Sequence, residues 1–109
     1  MSPTSRTLNK LRREGWLVGI VEKYNIFSNT RLDLFGFIDI IALKGEEALA
    51  IQTTSYSNIS SHVNKIKEHE NYPIVKQVWR IEVWGWKKKK ILSKKGTFYY
   101  RYEARIVEL

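Results

Sequence analysis

The sequence has 109 residues, of which 43% are hydrophobic and 13% aromatic; these values predict one folded domain over residues 1–109 and exclude a disordered chain. It has no cysteine and only two histidines, His62 and His69, which excludes disulfides, thiolate metal sites, iron–sulfur clusters and multi-histidine metal sites. The formal net charge of +8 favours a polyanionic partner, nucleic acid or an anionic membrane surface, and no apolar stretch is long enough to span a bilayer.

The N-terminal third predicts a helix, a strand and a loop. Ser2 is placed to cap a helix that begins at Pro3 and stops at Gly15. From residue 16 to residue 24, the β-branched and aromatic residues predict a strand that is buried on both faces. Residues 25–34 show no hydrophobic period, so we expect a loop there.

Two apolar runs in the middle of the chain, residues 37–43 and 48–53, predict a β-hairpin joined by the four residues 44–47. In an antiparallel pair of strands, the residue numbers of two opposed residues always add up to the same value, so the register predicts that Asp39 faces Gln52. Their Cβ atoms would then lie about 5 Å apart. Two polar side chains placed in this way on apolar strands could share a metal ion.

The C-terminal half predicts a helix, a strand and a hairpin. Hydrophobic residues at helical spacing from position 59 predict a helix that ends near His69, before the breaking sequence at 71–73. Residues 75–84 alternate in polarity and predict a strand. Residues 98–107 also alternate, and we expect them to close the chain as a C-terminal β-hairpin. Both His62 and His69 are interpreted as surface residues of the second helix.

The predicted element order and the motif Asp39 … Gln52-x-Thr54 together resemble the PD-(D/E)xK nuclease superfamily. The resemblance is greatest to its small phage-type and Holliday-junction-resolvase-like members, and the matching segments are residues 36–43 and 49–55. It implies an α/β fold with a restriction-endonuclease-like αβββαβ core, over about residues 8–83, and a mixed central sheet. The C-terminal β-hairpin would be an addition to that core.

The motif departs from the family pattern at three positions. Ile38 stands where the family often has proline, Gln52 where it usually has glutamate, and Thr54 where it has lysine. Glutamine is known at this place in superfamily members of the Mrr type. Because glutamine carries no charge, we expect weaker metal affinity and a need for more Mg²⁺ or for Mn²⁺. Another basic group would have to replace the lysine.

The resemblance implies catalysis with Mg²⁺ or Mn²⁺, for which Asp39, Gln52 and Glu22 are the candidate metal ligands. The candidate catalytic set adds Thr54 and Lys23 to these three. Glu22 and Lys23 alternate along the first predicted strand, so at most one of them is expected to face Asp39, and Glu22 is favoured as the second carboxylate. The alternatives are a solvated Glu22–Lys23 pair, a hydrogen-bonded structural Asp39, and a merely polar strand face at Gln52 and Thr54.

Basic residues divide into a dense C-terminal group and a few earlier arginines. Exposed aromatic residues beside the C-terminal group can stack on unpaired bases, whereas lysines contact phosphates without regard to sequence. The alternative is that the aromatic residues fill the core and the lysines protect an edge strand from aggregation. The candidate nucleic-acid-binding residues are Arg12, Arg13, Arg31, Lys87, Lys88, Lys89, Lys90, Lys94 and Lys95.

The sequence and the resemblance together predict a metal-dependent DNA endonuclease, similar to Holliday-junction resolvases, that acts on DNA, including branched DNA. The resemblance also implies a homodimer in the cytoplasm of a bacterial or phage-infected cell, with no membrane partner. One alternative is a catalytically degenerate nucleic-acid-binding module of the same fold. A second alternative is a basic structural or partner-binding domain.

Overall fold

A computed structural model describes residues 1–109 of the protein. The chain forms three α-helices, seven β-strands and a short 3₁₀ helix at Tyr56–Asn58. In chain order, the helices and strands are α1 Pro3–Arg13, β1 Leu17–Ile20, β2 Lys23–Asn25, β3 Thr30–Leu32, β4 Ile40–Lys44, β5 Glu47–Ser55, α2 Ile59–Glu68, α3 Tyr72–Lys76, β6 Arg80–Leu92 and β7 Phe98–Glu108. None of the helices has the length and apolar character needed to cross a membrane.

Five strands form one mixed sheet in the order β1-β4-β5-β6-β7, and β2 pairs with β3 separately. Strands β5 and β6 are parallel, and the other neighbours are antiparallel. The predicted register of the β4–β5 hairpin is confirmed, since Leu43 pairs with Ala48. Its loop is shorter than predicted, because Lys44 pairs with Glu47 and the turn at 45–46 uses the positive φ of Gly45 (59°).

The sheet is covered on both faces, and each face has its own core. Because α1 packs on one face and α2 with α3 on the other, the central strands read as nearly continuous apolar runs. The core on the α1 face consists of Leu8, Leu11, Ile40, Ala42, Leu49, Ile51 and Trp84. The core on the α2–α3 face consists of Phe37, Ile38, Ala50, Ile59, Ile66, Val75, Ile81 and Val83.

The N-terminal helix is confirmed, but the strand and loop predicted after it are wrong. Residues 16–24 do not form one strand buried on both faces: β1 is an edge strand in which Leu17 is 70% exposed, and the chain leaves the sheet after Ile20. Residues 25–34 are not a loop, because they contain the turn and return strand of the β2–β3 hairpin. The side chain of Asn25 accepts a hydrogen bond from the Phe27 backbone (2.9 Å) and stabilises this turn locally.

The strand predicted at residues 75–84 is also wrong in its first half. Pro73 does not only end α2: it lies in the first turn of the short helix α3, which begins at Tyr72, because proline is tolerated there. Val75 is buried in this helix, and β6 starts at Arg80. From there β6 continues to Leu92, so the basic run at 87–90 lies within a strand.

Strands β6 and β7 form the predicted C-terminal hairpin, which is longer than expected. The two strands pair from Glu82–Glu108 to Leu92–Phe98. We call the outer part of this hairpin, residues 87–103, the β-arm. Alternation along β6 places Lys88 and Lys90 on the face of the sheet that α1 covers, and places the lysines at 87 and 89 on the opposite face.

Candidate metal centre

Three carboxylates meet where the β2–β3 hairpin joins the main sheet. Glu22 lies just before β2, Asp33 just after β3, and Asp39 just before β4. One carboxylate oxygen from each residue lies within 4.8 Å of the other two. Carboxylate oxygens are the ligands that hard divalent cations such as Mg²⁺ and Mn²⁺ prefer, so this group can hold a metal ion.

Asp39 is held by donors from β5. Its Oδ2 accepts hydrogen bonds from Gln52 Nε2 (2.8 Å), from the Thr53 backbone N (2.9 Å) and from Thr53 Oγ1 (3.2 Å). The backbone N of Asp39 in turn donates to the carbonyl of Ile51 at 2.9 Å. All three hydrogen bonds to the Asp39 side chain end on Oδ2, which leaves Oδ1 as the oxygen available to a cation.

The surroundings of Asp39 disfavour a negative charge on it. Burial raises the pKa of Asp39, and a hydrogen bond and charge from Asp33 and the charge of Glu22 raise it further, to about 8. The backbone bond from Thr53 opposes this shift without cancelling it. The cluster therefore binds a proton near neutral pH, and a divalent cation would stabilise the same charges in its place.

An open, polar cavity of about 240 Å³ lies against the three carboxylates. The start of α1 forms one wall, where Thr4 Oγ1 lies 2.9 Å from Thr53 Oγ1. Arg31 is the basic residue of the lining. The lining residues are Ser2, Pro3, Thr4, Glu22, Arg31, Asp33, Asp39, Gln52 and Thr53.

A second cavity, of about 520 Å³, lies on the α2 side and shares Asp33 and Gln52 with the first. It adds His62 and Lys65 from α2, and His69 from just beyond that helix. The pKa of His62 is lowered, mainly by burial and then by the charge of Lys65, while Asp33 raises it. Both histidines are half-buried, in contrast to the prediction of surface positions, and the His69 ring packs edge-on against Phe37 at 5.6 Å between centroids.

The structure brings together some of the predicted site residues and leaves others outside. Asp39, Gln52 and Glu22 all line the first cavity, although Gln52 contacts Asp39 as a hydrogen-bond donor through its amide nitrogen. Thr54 is buried in β5, where it pairs with Gly85, and does not line this cavity. Lys23 is exposed in β2 and does not line it either.

Asp33 is the site residue that the sequence reasoning missed. The segment around Asp33 shows no hydrophobic period, so the sequence predicts a loop there and no role for this residue. The fold-back of β3 on β2 is what carries it to Glu22 and Asp39. No local signal marks Asp33, because this residue lies just beyond the three residues of β3.

The predicted nucleic-acid-binding residues fall in three places. Arg31 lines the first cavity, whereas Arg12 and Arg13 line a separate cavity of about 520 Å³ between α1 and the β-arm. Trp86 and Tyr102 form the aromatic part of that separate cavity. The remaining six, Lys87, Lys88, Lys89, Lys90, Lys94 and Lys95, are exposed on the β-arm.

Several β-arm lysines lie over aromatic rings. The Nζ of Lys88 is 4.1 Å from the ring centroid of Tyr100, and that of Lys90 is 4.2 Å from the centroid of Phe98. Tyr100 is 56% exposed, so it does not fill the core, whereas Trp84 does. The aromatic residues near the lysine run are therefore divided between the exposed surface and the core.

The arrangement could hold one hard divalent cation on three carboxylates, beside a polar cavity whose lining includes Arg31. Comparison of the chain with family models, with curated proteins and with solved structures finds no match.

Proposed function

We propose that the protein is a metal-dependent DNA endonuclease of PD-(D/E)xK type that hydrolyses phosphodiester bonds. The observation that carries this proposal is the group of three carboxylates within 4.8 Å, centred on the aspartate of the motif. A Mg²⁺ or Mn²⁺ ion held there would polarise the phosphate and lower the pKa of the attacking water. The net charge of +8 supports DNA as the substrate.

Each residue of the centre has a distinct role in this proposal. Glu22, Asp33 and Asp39 hold the cation, and Gln52 with Thr53 fixes the orientation of the Asp39 carboxylate. Asp33 supplies the charge that Gln52 lacks in the place of the motif glutamate.

Arg31 takes the role of the missing motif lysine in this proposal. It lines the cavity together with the carboxylates, whereas Thr54 lies outside it. A guanidinium group beside the scissile phosphate stabilises the charge that develops there during hydrolysis. Lys65, at the adjoining cavity, is the second cation near the centre.

The second candidate function is a nucleic-acid-binding module of the same fold without cleavage. It is favoured by Gln52 and Thr54, which replace the charged residues of the family motif. In that case the carboxylate cluster would have a structural role, and the cations of α1 and the β-arm would carry the function.

The test is cleavage of a labelled four-way junction, a duplex and a single strand with Mg²⁺ or Mn²⁺, with binding measured in the same samples. We expect metal-dependent cleavage that is lost in Asp39→Asn, Asp33→Asn and Glu22→Gln. Glu46→Gln is the matched control, because Glu46 is exposed in the β4–β5 turn, away from the centre. Salt-dependent binding without cleavage would select the binding module, and full activity of Asp39→Asn would exclude the proposed centre.

A further inference from the structure

The β2–β3 hairpin presents an apolar pair of residues to solvent at its tip. Phe27 is 95% exposed and Ile26 is 74% exposed, and neither belongs to the two cores. Segment 23–32 contains the cations Lys23 and Arg31 and no acidic residue, whereas Glu22 and Asp33 lie directly outside it. The charge of the segment itself is therefore positive, and an apolar tip on a positive segment is complementary to a ligand that offers an apolar interior between negative groups.

The tip is held in shape by hydrogen bonds of its own turn. The side-chain oxygen of Asn25 accepts bonds from the backbone nitrogens of Phe27 (2.9 Å) and Ser28 (3.4 Å). Ser28 Oγ lies 2.6 Å from Thr30 Oγ1 on the other side of the turn. Because the turn is ordered before it meets a ligand, presenting the apolar pair costs less conformational entropy on binding.

The base of the same hairpin is the candidate metal centre. Glu22 directly precedes β2 and Asp33 directly follows β3, so two of the three carboxylates anchor the two ends of the hairpin. Phe27 is five residues from Glu22, a reach of at most about 17 Å for an extended strand. At 3.4 Å per nucleotide, that reach corresponds to about five steps along a DNA strand.

We propose that the β2–β3 hairpin is a wedge that inserts Phe27 and Ile26 between the bases of DNA at a branch or an unpaired step. Apolar side chains inserted in this way unstack neighbouring bases, and an aromatic ring replaces part of the lost stacking. Lys23, which is exposed in β2, would contact a phosphate beside the inserted bases, and Arg31 would contact the phosphate at the cavity. This inference deepens the proposed function and rests on it only for the position of the cleaved bond. It makes branched or locally unpaired DNA the preferred substrate class.

The test uses four-way junctions and uninterrupted duplexes that carry 2-aminopurine at successive positions, in EDTA so that no cleavage occurs. With the wild-type protein, we expect fluorescence to rise at positions near the branch and to change little in the duplex. With the double variant Ile26→Ser/Phe27→Ser, we expect the rise to disappear and junction affinity to fall at least tenfold. The control is Ile74→Ser/Val78→Ser, at residues that are 63% and 77% exposed near α3, and we expect it to behave as wild type.

The outcomes separate the wedge from the nuclease. The wedge is overturned if the fluorescence rise persists in the Ile26→Ser/Phe27→Ser variant, or if the control variant loses the rise equally. Thermal unfolding of the wild type and the two variants checks that all three proteins are folded. Cleavage with Mg²⁺ that is unaffected by the wedge variant overturns the wedge and leaves the nuclease. Unstacking without cleavage supports the wedge and overturns the nuclease. Binding to phosphatidylserine vesicles that depends on Phe27, with no fluorescence change on DNA, assigns the tip to a membrane and overturns the inference.

Discussion

At the scale of single residues, Asp39 is where burial and charge oppose each other most directly. The residue is 3% exposed, it faces two other carboxylates, and its Oδ2 is satisfied by three donors. Its raised pKa means that the cluster without a metal binds a proton near neutral pH. A cation would relieve the same repulsion, so stability and metal binding would be coupled at this residue.

The pH dependence of stability follows from the sign of this shift. Because the pKa of Asp39 is raised from 3.8 to about 8, the folded metal-free protein keeps a proton that the unfolded chain releases. The free energy of unfolding is therefore expected to fall as the pH rises from about 4 to about 8. Thermal unfolding in EDTA at a series of pH values, with Asp39→Asn beside wild type, measures this effect. The variant should show a flatter dependence, and two parallel curves would contradict the assignment.

Removal of Asp33 tests the residue that only the structure identifies. When the free concentration of a cation is about 100 times its Kd, binding adds about 2.7 kcal/mol to the free energy of unfolding. We expect Mg²⁺ or Mn²⁺ to raise the unfolding temperature of wild type and of Glu46→Gln, but not that of Asp33→Asn. Titration calorimetry of the same proteins measures the affinity directly. Unchanged metal affinity in Asp33→Asn would limit the centre to the residues predicted from the motif.

At the scale of elements, the candidate site lies where the chain leaves the main sheet after β1 and returns to it at β4. Between these two points the chain forms the β2–β3 hairpin, so that both crossings carry a carboxylate. Strand β5 then provides the donors of Gln52 and Thr53 that hold Asp39. This detour, whose two strands have only three residues each, brings the three carboxylates together at its base and presents the apolar residues at its tip.

Gly85 in β6 shows how closely the helical layer packs against the sheet. A Cβ atom at this position would overlap the side chain of Ile59 and lie 3.2 Å from the Cα of Tyr56. Overpacking of this kind costs about 1 to 3 kcal/mol, so Gly85→Ala is expected to lower the free energy of unfolding by that amount. Gly19→Ala is the matched control, because nothing lies within 4 Å of its added Cβ.

Chemical denaturation of the two glycine variants measures the difference. The control is expected to be neutral or more stable by about 0.4 to 1 kcal/mol, since alanine restricts the unfolded chain. Equal stability of the two variants would show that the start of α2 can move away from β6.

At the scale of the whole molecule, the two faces of the β-arm differ in whether a carboxylate accompanies the cations. Lys88 and Lys90 share the face of Tyr100 and Trp86, next to a cavity that α1 lines with arginines and that has no acidic residue in its lining. On the opposite face, the cations Lys87, Lys89 and Arg101 are joined by Glu103, whose carboxylate lies 3.5 Å from both Lys89 and Arg101. The face next to α1, together with the arginines of α1, therefore offers a polyanion cations that no carboxylate neutralises.

Paired variants of the lysine run test this asymmetry. Loss of two phosphate contacts lowers the slope of log affinity against log salt by about 1.8 for duplex DNA. We expect the Lys88→Ala/Lys90→Ala variant to lower the slope by close to this amount, and the Lys87→Ala/Lys89→Ala variant to lower it less. Fluorescence anisotropy with a labelled duplex over a range of salt concentrations measures both. Equal slopes for the two variants would mean that the DNA contacts both faces.

Hydrophobic periodicity was sufficient for the helix near residues 59–68 and for the pairing of β4 with β5, because each depends on a pattern over many residues. It was not sufficient for β6, which was predicted at 75–84 and runs from Arg80 to Leu92, because the lysines at 87–90 interrupt the apolar pattern. The capping residue and the proline predicted α1, and the alternation at 98–107 predicted the final hairpin. The short elements β2, β3 and α3 were not predictable in this way, because three to five residues carry too little periodic signal.

For the candidate site, local pattern identified Asp39 and Gln52 as neighbours, and it made Glu22 a reasonable partner. That Asp33 joins them, that Thr54 stays outside, and that Gln52 donates to Asp39 were decided only by the tertiary structure. The physical reason is that period and register describe contacts within one strand pair. The meeting of Glu22, Asp33 and Asp39 depends on how a hairpin with two three-residue strands folds back between β1 and β4, which no periodicity along the chain records.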